Sequence, residues 1–364
     1  MFDVSIRVVE RPSQEEKKLL EGFLERFGLA FEGCPDVAVF LEDEGGRLVG
    51  TGSLRGNVIK MMAVDPGWQE YGLSGTIVSR LVEWGRARGM THFFVFTKPD
   101  TADTFARFGF REIARYEPHA ALLEMGSPGI DQFKAYLSSC RREVGTAGRT
   151  GGIVVNCNPF TLGHQFLIEK AASLSDHLYV IVVEADLSSF PFRDRFELVR
   201  CGTSHLGNVT VVKSGEYAVS PATFPSYFLK DASMMDIASI QARLDVTLFA
   251  NLFAPGLGIN VRFVGTEPYC PVTNAYNEAM KEILPPRGIE LREIRRLETD
   301  EGLVVSASTV RSLLKSEDWE ALRKMVPDCT WDYLHSEKGK CRSPRTECAG
   351  QIAAPLPRAS GLEF

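Results

Sequence analysis

From Gly152 onward the chain alternates short, unbroken Val/Ile runs with helix-length amphipathic stretches. A strand that reads as a continuous apolar run is buried on both faces, which happens when helices cover both sides of a parallel sheet. The runs are "GIVVN", "HLYVIVVE", "NVTVVKSG", "INVRFVG" and "IELREIRRLE". Between them lie helical patterns over 163–174, in "RDRFELVRCGTSHL", in a segment beginning near Asp231, and in "NAYNEAMKEIL". This order predicts an α/β domain with a doubly wound, Rossmann-like parallel sheet.

The N-terminal third is α/β of another kind. It runs strand "VSIRVVE", helix "SQEEKKLLEGFLERF", strands "DVAVFLEDEG" and "RLVGTGSLRG" about a Gly45-Gly46 turn, then "VIKMMAV", the turn "DPGWQEYGLSG" and a helix from Thr76 to Ala87. Strand "THFFVFTK", helix "DTADTFARF" and strand "FREIARY" follow. Expected boundaries are a first domain over 1–126, a Gly- and Pro-bounded linker with a short helix over 127–150, and a second domain over 151–335. Residues 336–364, rich in Pro, Gly, Ser and Arg, are expected to be a disordered tail.

Composition narrows the partners. A net charge of -6 argues against a dedicated nucleic-acid binder. No apolar run approaches the ~18 residues of a membrane span, and the opening "MFDVSIRVVE" alternates like a strand, so a cytoplasmic protein without membrane contact is expected. The eight cysteines include no CxxC pair and no His at zinc spacing, so no metal site is expected and the thiols should be reduced. Cys157 lies inside a turn, where it is either packing or an acyl-carrying nucleophile.

In an open parallel sheet, ligands bind beyond the carboxyl ends of the strands. The first such join is "NPFTLGH", with Asn158, Phe160, Thr161, Gly163 and His164. A helix N-terminus attracts anions, Thr161 offers a hydroxyl, Gly163 lets a phosphate approach the backbone, and His164 can donate from a ring nitrogen. The competing reading makes Thr161 a helix cap and His164 a surface residue. "GLVVSASTVRSLLKSEDW" repeats the pattern, with Ser306, Ser308 and Thr309 over a helix start and Arg311 one turn inside it. Gly265 and Glu267 in "VGTEP" end another apolar strand, where they either contact adenosine or form a Pro-terminated turn.

"NPFTLGH" with "VSASTVR" resembles the HxGH nucleotidyltransferase superfamily, whose members bind ATP and direct attack on its α-phosphate. Thr161 stands where that pattern has its first histidine. The N-terminal third resembles the GNAT acetyltransferases through "MMAVDPGWQEYGLSGTIVSRLVEWGRARG" and "FARFGF". Its loop, with Gln69, Gly72, Ser74 and Gly75, departs from the usual QxxGxG or QxxGxA by a serine, which is small enough to keep the turn.

The two in this order, over residues 1–335, resemble the citrate (pro-3S)-lyase ligase family, as do "FPFRDRFELVRCGT", "SPATFPSYFLKD" and "VGTEPYCPVTNAYNEAM". The resemblance implies that ATP and Mg²⁺ activate acetate as acetyl-adenylate. Acetyl then passes to the thiol of the dephospho-coenzyme A-derived group on the citrate lyase acyl carrier subunit, with AMP and pyrophosphate released. It also implies that His164 and Thr161 meet the ATP phosphates, that Ser306, Ser308 and Thr309 serve the pyrophosphate end, and that Arg311 serves the departing charge. Arg195 and Lys230 are either acetate or phosphate contacts or solvated surface cations. The loop over 69–75 is expected to hold the pantetheine arm. Rival readings are an adenylyltransferase acting on a phosphopantetheine-like phosphate ester, and a nucleotide-binding regulator without turnover.

Overall fold

The computed structural model describes every residue except 1–3, 146–147, 185–187, 220–222, 267–270, 298–303 and 343–364. It divides into two compact units, Met1–Phe133 with Thr223–Leu244, and Lys134–Ala222 with Asp245–Phe364. The first unit thus takes in Thr223–Leu244, which sequence order alone had placed in the second domain.

Among the described residues the first unit carries strands β1 (Ser5–Glu10), β2 (Val37–Glu42), β3 (Leu48–Arg55), β4 (Val58–Val64), β5 (His92–Thr97), β6 (Arg111–Tyr116) and β7 (Ala120–Gly126) in the order β1-β2-β3-β4-β5-β7-β6. Neighbours are antiparallel except β4 and β5, which pair in parallel at Val58↔Phe94 and Ile59↔Val95 and then part. Helix Leu73–Arg86 lays Ile77, Leu81 and Val82 on the sheet beside Val39, Ile59 and Val95. Strand β7 is an element the sequence reading lacked. Its "AALLEMG" is built from good helix formers, and burial between β5 and β6 overrides that propensity.

The second unit has a five-stranded all-parallel sheet of β8 (Thr150–Val155), β9 (His177–Val182), β10 (Val209–Lys213), β11 (Val261–Gly265) and β12 (Glu290–Ile294), in the order β10-β9-β8-β11-β12. This is the doubly wound sheet that the alternation predicts. The order reverses at β8, where β11 pairs only through Val261↔Gly151 and Arg262↔Gly152. The carboxyl ends of these two strands therefore open a crevice. Beneath it Ile153, Val155, Phe160, Ile168, Val180 and Phe263 form the core. Glu337–Arg342, expected to begin an aperiodic tail, forms a short helix; the tail from 343 lies outside the described residues.

Candidate active site

The join after β8 is built on buried residues. Cys157 takes a φ of 51° and is 1% exposed, and Phe160 and Thr161 are fully buried. Helix Leu162–Ser173 starts on a reciprocal cap. Thr161 Oγ1 accepts the His164 N–H at 3.3 Å, and His164 Nδ1 accepts the Thr161 N–H at 3.1 Å. A histidine here takes the part that Glu or Gln plays in the usual capping box. Because Nδ1 is an acceptor, the ring proton sits on Nε2. Burial, and then the charges of Arg296 and Arg311, push the His164 pKa down to about 3, so the ring is a neutral donor at physiological pH. Thr161 is thus the cap that the plainer reading expected, and it also orients His164, which is buried rather than a surface residue.

Gly163 has a task that the sequence reading did not assign. A Cβ there would stand 2.4 Å from the Val305 carbonyl oxygen, so the missing side chain admits the backbone of the second join. That join is capped in turn by Ser306, whose Oγ accepts the Thr309 N–H at 3.1 Å and lies 2.9 Å from Thr309 Oγ1, opening helix Ala307–Ser316. Arg311 ties the two joins together. Its guanidinium donates to Asn158 C=O at 2.5 Å and to Ser308 Oγ at 3.0 Å. Asn158 Oδ1 accepts the Phe190 N–H at 3.0 Å.

Thr161, Gly163, His164, Gly265, Arg296 and Ser306 line one cleft in this crevice. Its volume is about 50 Å³, room for a phosphate-sized group. Arg295 and Arg296 are the members that the sequence reading passed over, although the pair directly follows a strand of the parallel sheet. Arg296 Nε donates to Thr266 C=O at 2.9 Å. Arg262 also lines the cleft, and burial pushes its pKa down to about 10.

Other expected residues have other surroundings. Arg195 is fully buried and donates to the carbonyls of Asn156, Val183 and Phe190 at 2.7, 2.8 and 3.0 Å and to Asn156 Oδ1 at 2.9 Å. It clamps the loops that follow β8 and β9 and is not a solvated cation. Lys230 belongs to the first unit, 4.0 Å from Glu25. Glu267 lies outside the described residues. Cys157 is enclosed in the core cluster with Phe160 and Ile168, which fits the packing reading of that thiol.

In the first unit the loop after β4 forms a 3-10 helix, Pro66–Tyr71, and turns at Gly72 with a φ of 69° into helix Leu73–Arg86. That helix begins earlier than the expected Thr76, and no side chain caps its first-turn N–H groups. Gly75 N–H returns to Gly72 C=O at 3.0 Å. Gln69 and Ser74 line a cavity of about 700 Å³ with Thr97, Lys98, Arg107 and Tyr227.

Comparison with known proteins follows the same division. Residues 150–334 match the family described as citrate lyase ligase C-terminal domain, and residues 6–110 match the acetyltransferase (GNAT) family. A citrate (pro-3S)-lyase ligase of Klebsiella pneumoniae is 38% identical over 332 residues, 90% of this chain and 95% of that one. Its counterpart in Escherichia coli (strain K12) is 36% identical, over 88% of this chain and 92% of that one. A solved structure of Thermotoga maritima TmcAL bound with alpha-thio ATP aligns with a TM-score of 0.36 at 16% identity, covering 54% of this chain and 57% of that chain.

Proposed function

The chain belongs to the citrate (pro-3S)-lyase ligase family, and on that premise we propose that it activates acetate with ATP and acetylates the thiol of the dephospho-coenzyme A-derived group on the citrate lyase acyl carrier subunit. An acetate oxygen attacks the α-phosphorus, and the bond to the bridging oxygen breaks as pyrophosphate leaves. The thiolate sulfur then attacks the acetyl carbonyl, a C–S bond forms, and AMP departs with the C–O electron pair.

One observation carries this reading. Two capped helix N-termini and the guanidinium-bearing Arg296 meet where β8 and β11 part, around a histidine held neutral with its proton on Nε2. Such a seat suits a phosphate whose negative charge grows as the α-phosphorus is attacked. His164 stabilises that charge by donating a hydrogen bond and moves no proton, because a group with a pKa of about 3 is a poor acid–base catalyst near neutrality. Thr161 orients His164. The helix start at Ser306, with Ser308 and Thr309, serves the pyrophosphate, and Arg311 keeps this second helix start on the first through Asn158. Phe160, ring to ring with His164 at 6.0 Å, backs the imidazole. Gly265 ends β11 on the same cleft and fits an adenosine contact; Glu267 is proposed to share that role.

Mg²⁺ would reach the site on the nucleotide, held by phosphate and water. The described residues lining the cleft include no carboxylate. In the first unit, Gln69, Gly72, Ser74 and Gly75 hold the arm, with its phosphate at the uncapped helix start. A cytoplasmic setting fits these substrates; among the described residues no helix is long and apolar enough to cross a membrane.

The test is AMP and pyrophosphate release from ATP and Mg²⁺, with and without acetate and the deacetylated carrier subunit. Release that needs acetate and turns over only with the carrier thiol is expected. Release without acetate but with a phosphopantetheine-like acceptor would make this an adenylyltransferase, and nucleotide binding with no release would make it a regulator.

A further inference from the structure

Two thiols of the second unit stand on helices that pack side by side. Helix Phe192–Gly202 carries Cys201, and helix Asp328–His335 carries Cys329. Two contacts fix how these helices lie. Tyr333 Oη donates to Asp194 Oδ2 at 2.8 Å, and Cys329 Sγ donates to Leu198 C=O at 3.8 Å. From the first contact to the second the chain advances one turn along one helix and goes back one turn along the other, so the helices run antiparallel. The next turn of the first helix carries Cys201, three residues beyond Leu198, to the end of the second helix where Cys329 sits. Cys201 and Cys329 accordingly line one surface cavity of about 540 Å³, together with Gln165, His205 and Pro327.

The two thiols are not alike. Cys201 is exposed to solvent, whereas Cys329 is half-buried. Burial, and then the neighbouring Cys201, push the Cys329 thiol up to about 11, so it stays protonated near neutrality. A reagent from solvent therefore meets Cys201 first. Both are free thiols in this structure.

Each cysteine is followed by a residue that touches Phe160. Gly202 leaves room for its ring, because a Cβ there would stand 2.2 Å from Phe160 Cε1. Thr330, fully buried, donates from Oγ1 to Phe160 C=O at 2.9 Å. Phe160 in turn lies ring to ring with His164. A bond between the two sulfurs would draw together the two turns that grip Phe160, and the glycine side has no slack to give.

We propose that Cys201 and Cys329 are an oxidation site, at which hydrogen peroxide forms a reversible disulfide that pins helix Asp328–His335 to helix Phe192–Gly202. The Cys201 thiolate attacks one peroxide oxygen, the O–O bond breaks, hydroxide leaves, and Cys201 becomes a sulfenic acid. The Cys329 sulfur then attacks the Cys201 sulfur. An S–S bond forms, the S–O bond breaks, and the hydroxyl leaves with the Cys329 proton as water. Two electrons have passed from the thiols to the peroxide. A dithiol reductant returns both thiols by exchange. On the function proposed above, the bridge shifts Phe160 against His164 and slows the activation of acetate.

The test treats the full chain with hydrogen peroxide, alkylates the remaining thiols, digests the protein without reductant and reads the peptides by mass spectrometry. A pair of peptides joined through Cys201 and Cys329, separated again by dithiothreitol, is expected. Its absence would overturn the proposal, as would a bridge from either residue to another cysteine. The same samples are assayed for acetate-dependent AMP formation. Bridged protein should turn over about tenfold more slowly, the scale of a sub-ångström misplacement, and dithiothreitol should restore the rate. Cys201→Ser, at an exposed position, and Cys329→Ser should each keep the untreated rate and resist the peroxide. A bridge that leaves turnover unchanged would overturn the coupling to His164. An untreated chain that forms no AMP would overturn the proposed function, and mass spectrometry would still decide the bridge.

Discussion

Two pairs of parallel strands in this protein start together and then part, β4 with β5 and β8 with β11, and the two gaps are finished in opposite ways. Each pair is held at two positions before it opens. Where β8 and β11 part, the cavity is about 50 Å³, guanidinium groups line it, and the helix start is closed by two side chains, Thr161 and His164. Where β4 and β5 part, the cavity is about 700 Å³, the helix start is a bare glycine turn, and Tyr227, bonded to Phe96 C=O, is part of the lining. On the function proposed above, the difference follows the ligand each gap would take. A phosphate needs charge and donors preset at short range, whereas a long uncharged arm needs room.

The largest expected effect lies in the tight gap. His164→Ala removes the Nε2 donor and half of the reciprocal cap. Acetate-dependent AMP formation should then fall by about 10²–10³, the usual loss for one preorganised donor. Turnover within threefold of wild type would move the phosphate seat elsewhere.

A pair of glycine variants separates crowding from backbone strain. In Gly163→Ala the new Cβ would meet the Val305 carbonyl oxygen at 2.4 Å, so thermal unfolding should show a loss of about 1–3 kcal/mol, as overpacking does, together with reduced turnover. Gly72→Ala meets nothing within 4 Å and carries only the strain of a φ of 69°, about 1 kcal/mol. If both cost the same, the contrast between a tight and an open gap is wrong.

The smallest effect is a null in pH. The His164 pKa is depressed from 6.5 to about 3, so the ring should not titrate between pH 5 and 8, and its carbon-bound proton shifts should stay flat in a histidine NMR titration. The unfolded chain takes up this proton below its ordinary pKa and the native state does not, so this residue's contribution to stability falls as pH drops from 6.5 toward 3. Arg296→Ala removes a positive neighbour and should raise the pKa. A midpoint near 6.5 in the wild type would mean that the ring is solvated rather than built into the cap.

Much of this was legible locally. Continuous apolar runs revealed the parallel sheet, and the residues of both caps, Thr161 and Ser306, stand where a hydroxyl precedes a helical pattern. These readings worked because a cap is formed between a residue and another three places on, and because burial on both faces of a strand shows in the strand itself. The burial of Arg195 was hidden for the complementary reason. A lone arginine looks like a surface cation until three carbonyls close around it. Arg296 was missed because nothing beside it in the chain says that His164 is near.

The amino-acid order was thus sufficient for the kinds of element, for the doubly wound sheet, and for a family resemblance that the relatives bear out. Tertiary packing alone decided that Thr223–Leu244 joins the first unit, that Gly163 makes room for Val305, that Arg311 reaches Asn158 across 153 residues, and that Tyr227 reaches Phe96 across 131. Periodicity and capping are settled within a few residues by backbone geometry. Which distant groups meet is settled by how the elements pack, and no local pattern carries that information.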